Sequence, residues 1–217
     1  MIVAVDGPSA SGKSTIGRML ARHLKLPLVD TGLMYRAVTV LARDAGIGPA
    51  DHEGLGRIAE EADIDVNTTT EDGPHWEVRG GGEDLTARVF DPSLAPLLTR
   101  VSQVRRVRDA LVAQQRGYAS GVVMVGRDIG TVVFPGADVK LFITASDEVR
   151  RRRRAAQMRE ADHGLMKGEI SDRDAADQGR SISPLRPAED AYTIDTDERS
   201  PDQVFAQVLL LIASAGA

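Results

Sequence analysis

Gly7-Pro8-Ser9-Ala10-Ser11-Gly12-Lys13-Ser14 decides the fold of this chain. The stretch follows an apolar run, Ile2-Val3-Ala4-Val5, and opens a helix-like segment from Ser14 to Lys25. Strand, G-x-x-x-x-G-K-[ST] loop and helix, in that order, make a phosphate-binding loop. Its physics is anion capture. Glycines let backbone N–H groups curl around phosphate oxygens, and the helix N-terminus adds partial positive charge. Lys13 is expected to reach the outer phosphates of a nucleoside triphosphate, and the Ser14 hydroxyl to face a bound magnesium ion.

Outward from the loop, further short β-like runs appear at Leu28–Val29, Val122–Val125, Val139–Thr144 and Ala191–Ile194. Several are apolar without alternation, as expected for strands buried on both faces of a parallel sheet. Helical stripes lie between and after them: Ile16, Met19, Leu20 and Leu24; Leu94, Leu97, Leu98, Val101 and Val104; Val204, Val208, Leu211 and Ile212. Alternating β and α elements imply a doubly wound α/β fold, a parallel five-stranded sheet with helices on both faces. Residues 63–86 break the alternation. Ile64-Asp65-Val66, His75-Trp76-Glu77-Val78 and Gly80-Gly81-Gly82, with Glu71-Asp72-Gly73-Pro74 between, predict a small antiparallel meander inserted in the α/β domain. It holds the only Trp of the chain.

With 217 residues, the chain has room for one large domain or one domain plus an insert. Aromatic residues make up only 4%, so the core must rest on Val, Leu, Ile and Ala. No apolar run is long enough to span a bilayer. The first strand begins at Ile2, so no signal peptide is expected. Cysteine is absent, which excludes disulfides and thiolate metal sites and points to a reducing cytoplasm. The net charge of −5 argues against a general nucleic-acid binder. Arg nevertheless clusters at Arg150 to Arg154, and its planar fork matches phosphate. In most of those five residues a solvated helix face is the expected role.

A phosphate loop alone specifies only a triphosphate. Three clusters narrow it. Asp30-Thr31-Gly32-Leu33-Met34-Tyr35-Arg36 ends the second strand, where ligands of open α/β sheets bind. There Thr31 can hydrogen-bond a ligand and Arg36 can clamp a phosphate. Gly126-Arg127-Asp128-Ile129-Gly130 ends the run Val122–Val125. Arg127 can hold a transferring or accepting phosphate. Asp128 can accept from an amino group, orient a magnesium-bound water, or form an internal salt bridge. In Arg173-Asp174-Ala175-Ala176-Asp177-Gln178-Gly179-Arg180, helical spacing puts Arg173, Asp177 and Arg180 on one face. A weaker cluster, Ser102 to Arg108, is expected on one long helix. At that spacing the two would not share a face, and no Pro or Gly between them suggests a bend.

At these residues the chain resembles the bacterial cytidylate kinase family almost end to end. Gly7–Thr15 resembles its phosphate loop, Asp30–Arg36 its acceptor motif, and Gly126-Arg127-Asp128-Ile129-Gly130-Thr131-Val132-Val133-Phe134-Pro135 its most distinctive block. Arg173, Asp177 and Arg180, then Ser183-Pro184-Leu185 and Ala188-Glu189-Asp190-Ala191, resemble its C-terminal block. The resemblance implies transfer of the γ-phosphoryl group of ATP to CMP or dCMP, with Mg2+. It implies a core (1–62, 91–144 and 166–217), a nucleoside-monophosphate-binding insert (63–90) and a short helical lid (145–165). Gly7, Pro8, Ser9, Ala10, Ser11, Gly12, Lys13, Ser14 and Thr15 would bind ATP, with Ser14 on the metal. Thr31, Ser102, Arg108 and Asp128 would read the cytosine, with Arg105 an alternative to Arg108. Arg173 and Asp177 would hold the ribose, and Arg36, Arg127 and Arg180 the acceptor phosphate. Lys13, Arg127, Arg153 and Arg154 would stabilise the transferring charge. Val89-Phe90 stands where the family commonly carries Ile-Arg. A cytoplasmic monomer is expected, with small-molecule substrates and neither nucleic acid nor membrane as partner.

Phosphoryl transfer asks little covalent chemistry of a protein, so positioning and positive charge carry it. A phosphate acceptor is already ionised near neutral pH and needs no strong general base. Other small-molecule P-loop kinases remain the alternative. A GTP-dependent switch would need Asn-Lys-x-Asp, which is absent, and the D-x-x-G match Asp51-His52-Glu53-Gly54 follows a helix.

Overall fold

The apolar run before the phosphate loop forms β1, Ile2–Asp6, the middle strand of a five-stranded parallel sheet. This computed structural model describes residues 1–69, 75–160 and 184–214. After β1 come α1 (Lys13–Leu24), β2 (Leu28–Asp30), α2 (Thr31–Asp44) and α3 (His52–Glu61). The insert contributes β3 (Asp65–Thr69), β4 (His75–Gly80) and β5 (Glu83–Asp84). Then follow α4 (Ala95–Val101), α5 (Arg105–Arg116), β6 (Val122–Gly126), β7 (Val139–Thr144), α6 (Asp147–Glu160), β8 (Tyr192–Asp195) and α7 (Pro201–Ser214).

The sheet order is β2-β6-β1-β7-β8, and every neighbouring pair is parallel. Burial on both faces explains why β1 and β6 show no polar alternation. Successive residues still point to opposite sides. Ala4, Val29 and Met124 join one apolar cluster with α2, α3, α4 and α5. Val3, Val5, Val123 and Val125 join a second with Ile16 and Leu20 of α1 and Val204 and Val208 of α7. Five parallel strands between two helical layers match the fold expected from the sequence.

The meander is a three-stranded antiparallel sheet, β3-β4-β5. It does not have a core of its own. Val66, Val78 and Leu85 are buried in the same cluster as Ala4 and Met124. Its root is tied to α5 and the turn after it. Ile64 N donates to Gln114 Oε1 at 3.0 Å, and Tyr118 Oη donates to Asp65 Oδ1 at 2.7 Å.

One expectation is corrected. Ser102 to Arg108 do not lie on a single long helix. Helix α4 ends at Val101, Val104 is extended (φ −72°, ψ 119°), and α5 starts at Arg105. Side chains rather than Pro or Gly make the break. Ser102 Oγ donates to Thr99 O at 3.0 Å, and Arg108 Nη1 donates to Ser102 O at 3.3 Å. The D-x-x-G match is a helix cap: Asp51 Oδ1 accepts from Gly54 N at 2.8 Å at the start of α3.

Candidate active site

The phosphate loop runs from the end of β1 to the start of α1 with Gly7 (φ 152°), Ala10 (φ 57°) and Gly12 (φ 99°) at positive φ. At Gly7 a Cβ would stand 2.0 Å from Ile143 O of β7, so no other residue fits there. Gly12 opens α1 with no neighbour within 4 Å of a built Cβ, which leaves the helix N-terminus open to a ligand. Lys13 Nζ curls back over the loop and donates to Pro8 O at 3.0 Å.

The loop stands between two cavities. The first, about 300 Å³, is lined by Ser9 and Lys13, by Asp30 to Leu33 with Tyr35 and Arg36, by Phe90, by Ser102 and Arg108, by Gly126, Arg127 and Asp128, and by Arg154. These positions come from the phosphate loop and the start of α1, from the ends of β2 and β6, from α2, from the turn at Arg88–Phe90, from the break after α4 and the first turn of α5, and from α6. The parallel register makes this possible: Asp6 pairs with Gly126, and Asp30 with Val125, so three strand ends finish at one level. At Gly126 a Cβ would meet Thr31 Oγ1 at 2.7 Å, which keeps that crossing tight.

Within the cavity Arg108 Nη2 donates to Asp128 Oδ2, and both residues are buried. The salt-bridge role considered for Asp128 is therefore real, and the same carboxylate also lines the cavity. The Arg108 guanidinium lies over the Tyr35 ring, 5.6 Å from its centre. Arg105, the alternative to Arg108, is on the exposed side of α5 and pairs with Asp109 at 3.3 Å. Thr31 Oγ1 donates to Val125 O at 3.0 Å, so towards a ligand it acts as an acceptor. Arg36 donates to Val89 O at 3.0 Å, and Arg127 Nη1 donates to Gly7 O.

The second cavity, about 340 Å³, is lined by Ala10, Ser11, Gly12, Thr15 and Ile16, by Arg153 and Ala156, and by Thr196, Arg199, Pro201 and Val204. The arginine run of α6 divides between the two. Arg150 is buried and donates to Ser9 O at 3.2 Å. Arg153 donates to Thr196 Oγ1 at 2.8 Å and faces the second cavity, whereas Arg154 faces the first. Arg151 and Arg152 are exposed.

Ser14 Oγ donates to Asp30 Oδ2 at 3.1 Å, while Asp30 Oδ1 caps α2 by accepting from Gly32 N at 3.0 Å. A hydroxyl and a carboxylate at the loop's mouth are hard oxygen donors that suit magnesium. Among the described residues no group of three or more His, Cys, Asp or Glu could hold a metal by protein ligands alone. Magnesium fits this donor set, because it commonly keeps waters and phosphate oxygens.

Asp6 is a functional candidate that the sequence reading did not single out. It ends β1 and is buried, and its two oxygens accept from Ile129 N and Gly130 N at 2.8 Å each. It thereby holds the turn that presents Arg127 and Asp128. Burial pushes its carboxyl up to about 7, against the pull of those two N–H groups. A charged residue closing a buried apolar strand was the available signal. Thr196 carried no local signal, because it reaches the second cavity only through tertiary packing, whereas Phe90 stood out only as a departure from the Ile-Arg pair common in the family. Arg173, Asp177 and Arg180 lie outside the described residues.

The geometry is a phosphate loop with a cavity of about 300 Å³ beside it. The family model for cytidylate kinase matches residues 3–214. The chain belongs to the cytidylate kinase family. Its sequence is 40% identical over 218 residues to cytidylate kinase of Pelotomaculum thermopropionicum, covering 98% of this chain and 96% of that one. It is 41% identical over 219 residues to cytidylate kinase of Syntrophotalea carbinolica, covering 98% of this chain and 92% of that one. In fold it is similar to the crystal structure of an uncharacterized protein from Eubacterium ventriosum (TM-score 0.50, 12% identity, 99% of each chain covered). Among the described residues no helix is long and apolar enough to cross a membrane.

Proposed function

We propose that this chain transfers the γ-phosphoryl group of ATP to CMP or dCMP, giving ADP and CDP or dCDP. The observation that carries the reading is one loop shared by two cavities, with cations on both sides. The cavity at Arg36, Arg108 and Asp128 takes the monophosphate, and the loop takes the triphosphate. Lys13, Arg127 and Arg154 line the first cavity beside the loop and stabilise the transferring charge. Arg36 and Arg127 hold the acceptor phosphate, together with Arg180. Ser102, Arg108 and Asp128 read the cytosine edge, with Thr31 as an acceptor. Arg173 and Asp177 hold the ribose.

Ser14 and Asp30 would hold magnesium, which when bound neutralises charge on the phosphate oxygens. The remaining work is orientation and exclusion of water, since an acceptor phosphate is its own nucleophile. The insert (63–90) shapes the acceptor side, and the lid (145–165) brings its arginines to the loop. The core comprises 1–62, 91–144 and 166–217. We propose a cytoplasmic monomer that acts on small molecules and binds neither nucleic acid nor membrane.

A coupled assay of ADP release with CMP, dCMP, UMP and AMP as acceptors tests this reading. CMP and dCMP are expected to give the highest kcat/KM. Preference for AMP, or ADP release independent of any acceptor, would overturn it.

A further inference from the structure

We propose that Phe90 is a further specificity-determining residue, whose ring covers the nucleoside half of the acceptor nucleotide. The inference rests on the reading of the first cavity as the acceptor site. Phe90 ends a single 3-10 turn, Arg88–Phe90, whose backbone is pinned from several sides. Val89 is fully buried in the core, and its carbonyl accepts from Arg36 Nη1 at 3.0 Å. Arg88 pairs with Asp44 and, at 3.0 Å, with Glu83. Asp91, next in the chain, pairs with Arg43 at 2.7 Å.

The turn's contacts hold its backbone and leave the Phe90 ring at the cavity, where the residue is 51% exposed. A large apolar side chain held half in water beside a polar cavity has a complementary partner of limited chemistry. The face of an aromatic ring carries negative potential, so it does not attract a phosphate. Arg36, whose guanidinium is anchored to the same turn, suits that group instead. What remains for the ring is the uncharged part of the acceptor, a sugar edge or the flat face of a base. Ser102, Arg108 and Asp128 offer hydrogen bonds to a base edge, but hydrogen bonds alone leave its faces uncovered.

Calorimetric titration of the full chain with CMP and with cytidine tests this. Phe90→Ala is expected to weaken both by about tenfold, the scale of a lost aromatic–base contact. Phe90→Tyr keeps the ring and should bind both ligands within about twofold of the unsubstituted chain. The ring is half exposed, so both variants should melt as the unsubstituted protein does. Unaltered CMP affinity in Phe90→Ala would overturn the proposal. So would weaker CMP binding with cytidine binding unchanged, because the ring would then act through Arg36 and the phosphate. If the unsubstituted chain neither binds nor phosphorylates CMP, the acceptor-site reading itself fails, a result read without any Phe90 variant.

Discussion

Arg108 and Asp128 form a buried ion pair in the cavity beside the phosphate loop, with 3% and 9% of their side chains exposed. Removing one member strands the other charge, which typically costs about 3–5 kcal/mol. Asp128→Ala should therefore lower the melting temperature and raise the KM for CMP well above any change in the KM for ATP. Replacing both residues with apolar ones should recover part of the stability and none of the CMP use. Equal losses of CMP and ATP affinity in Asp128→Ala would count against a role in reading the base.

Lys13 lies over the phosphate loop, bonded to Pro8 O, and is not part of the apolar core. Lys13→Ala should lower kcat by at least about 10²-fold, the scale of one lost charge-stabilising donor. The melting temperature should change little. Near-normal turnover in this variant would remove the loop from the reaction.

Arg153 and Arg154 are adjacent in sequence but open on different cavities. Arg154→Ala should lower kcat with CMP. Arg153→Ala should act mainly through the KM for ATP, since its guanidinium holds Thr196 and, at 3.4 Å, Ser11 O beneath the loop. Steady-state kinetics with each substrate varied would separate them, and the same profile for both variants would contradict the division.

The carboxyl of Asp6 titrates near pH 7 in the fold because burial disfavours its charge. The unfolded chain gives up that proton near the ordinary carboxylate value of 3.8. Between these limits the native state holds a proton that the unfolded state has lost, so this group's contribution to stability falls as pH rises. The slope approaches about 1.4 kcal/mol per pH unit. Urea melts at pH 5 to 8 should show a steeper decline for the unsubstituted chain than for Asp6→Asn. Parallel curves would show that Asp6 stays ionised across this range.

The insert shares its apolar cluster with the central sheet, so it should not unfold on its own. Leu85→Ala, at a fully buried site on the insert side, should destabilise the whole molecule by about 2–5 kcal/mol in one calorimetric transition. A separate low-temperature transition in that variant would show an insert that folds independently.

The decisive signals of this fold are local. A glycine loop between an apolar run and a helix, the unbroken apolar runs Ile2–Val5 and Val122–Val125, and Asp30–Arg36 and Gly126–Gly130 after strands are all legible within a few residues. They determined the parallel α/β fold and pointed to phosphate chemistry at the strand ends. The break between α4 and α5 was not legible, because it is made by Ser102 and Arg108 capping carbonyls rather than by a helix-breaking residue. Nor was the split between Arg153 and Arg154, which depends on where α6 lies against the loop and on Thr196 at the end of β8. Asp6 meets Ile129 and Gly130 only because β1 and β6 are paired in register across more than a hundred residues of chain. The sequence by itself determined the parallel α/β fold and the family. Tertiary packing decided which residues share a cavity, because parallel strands bring their ends together through long crossovers that no local pattern encodes.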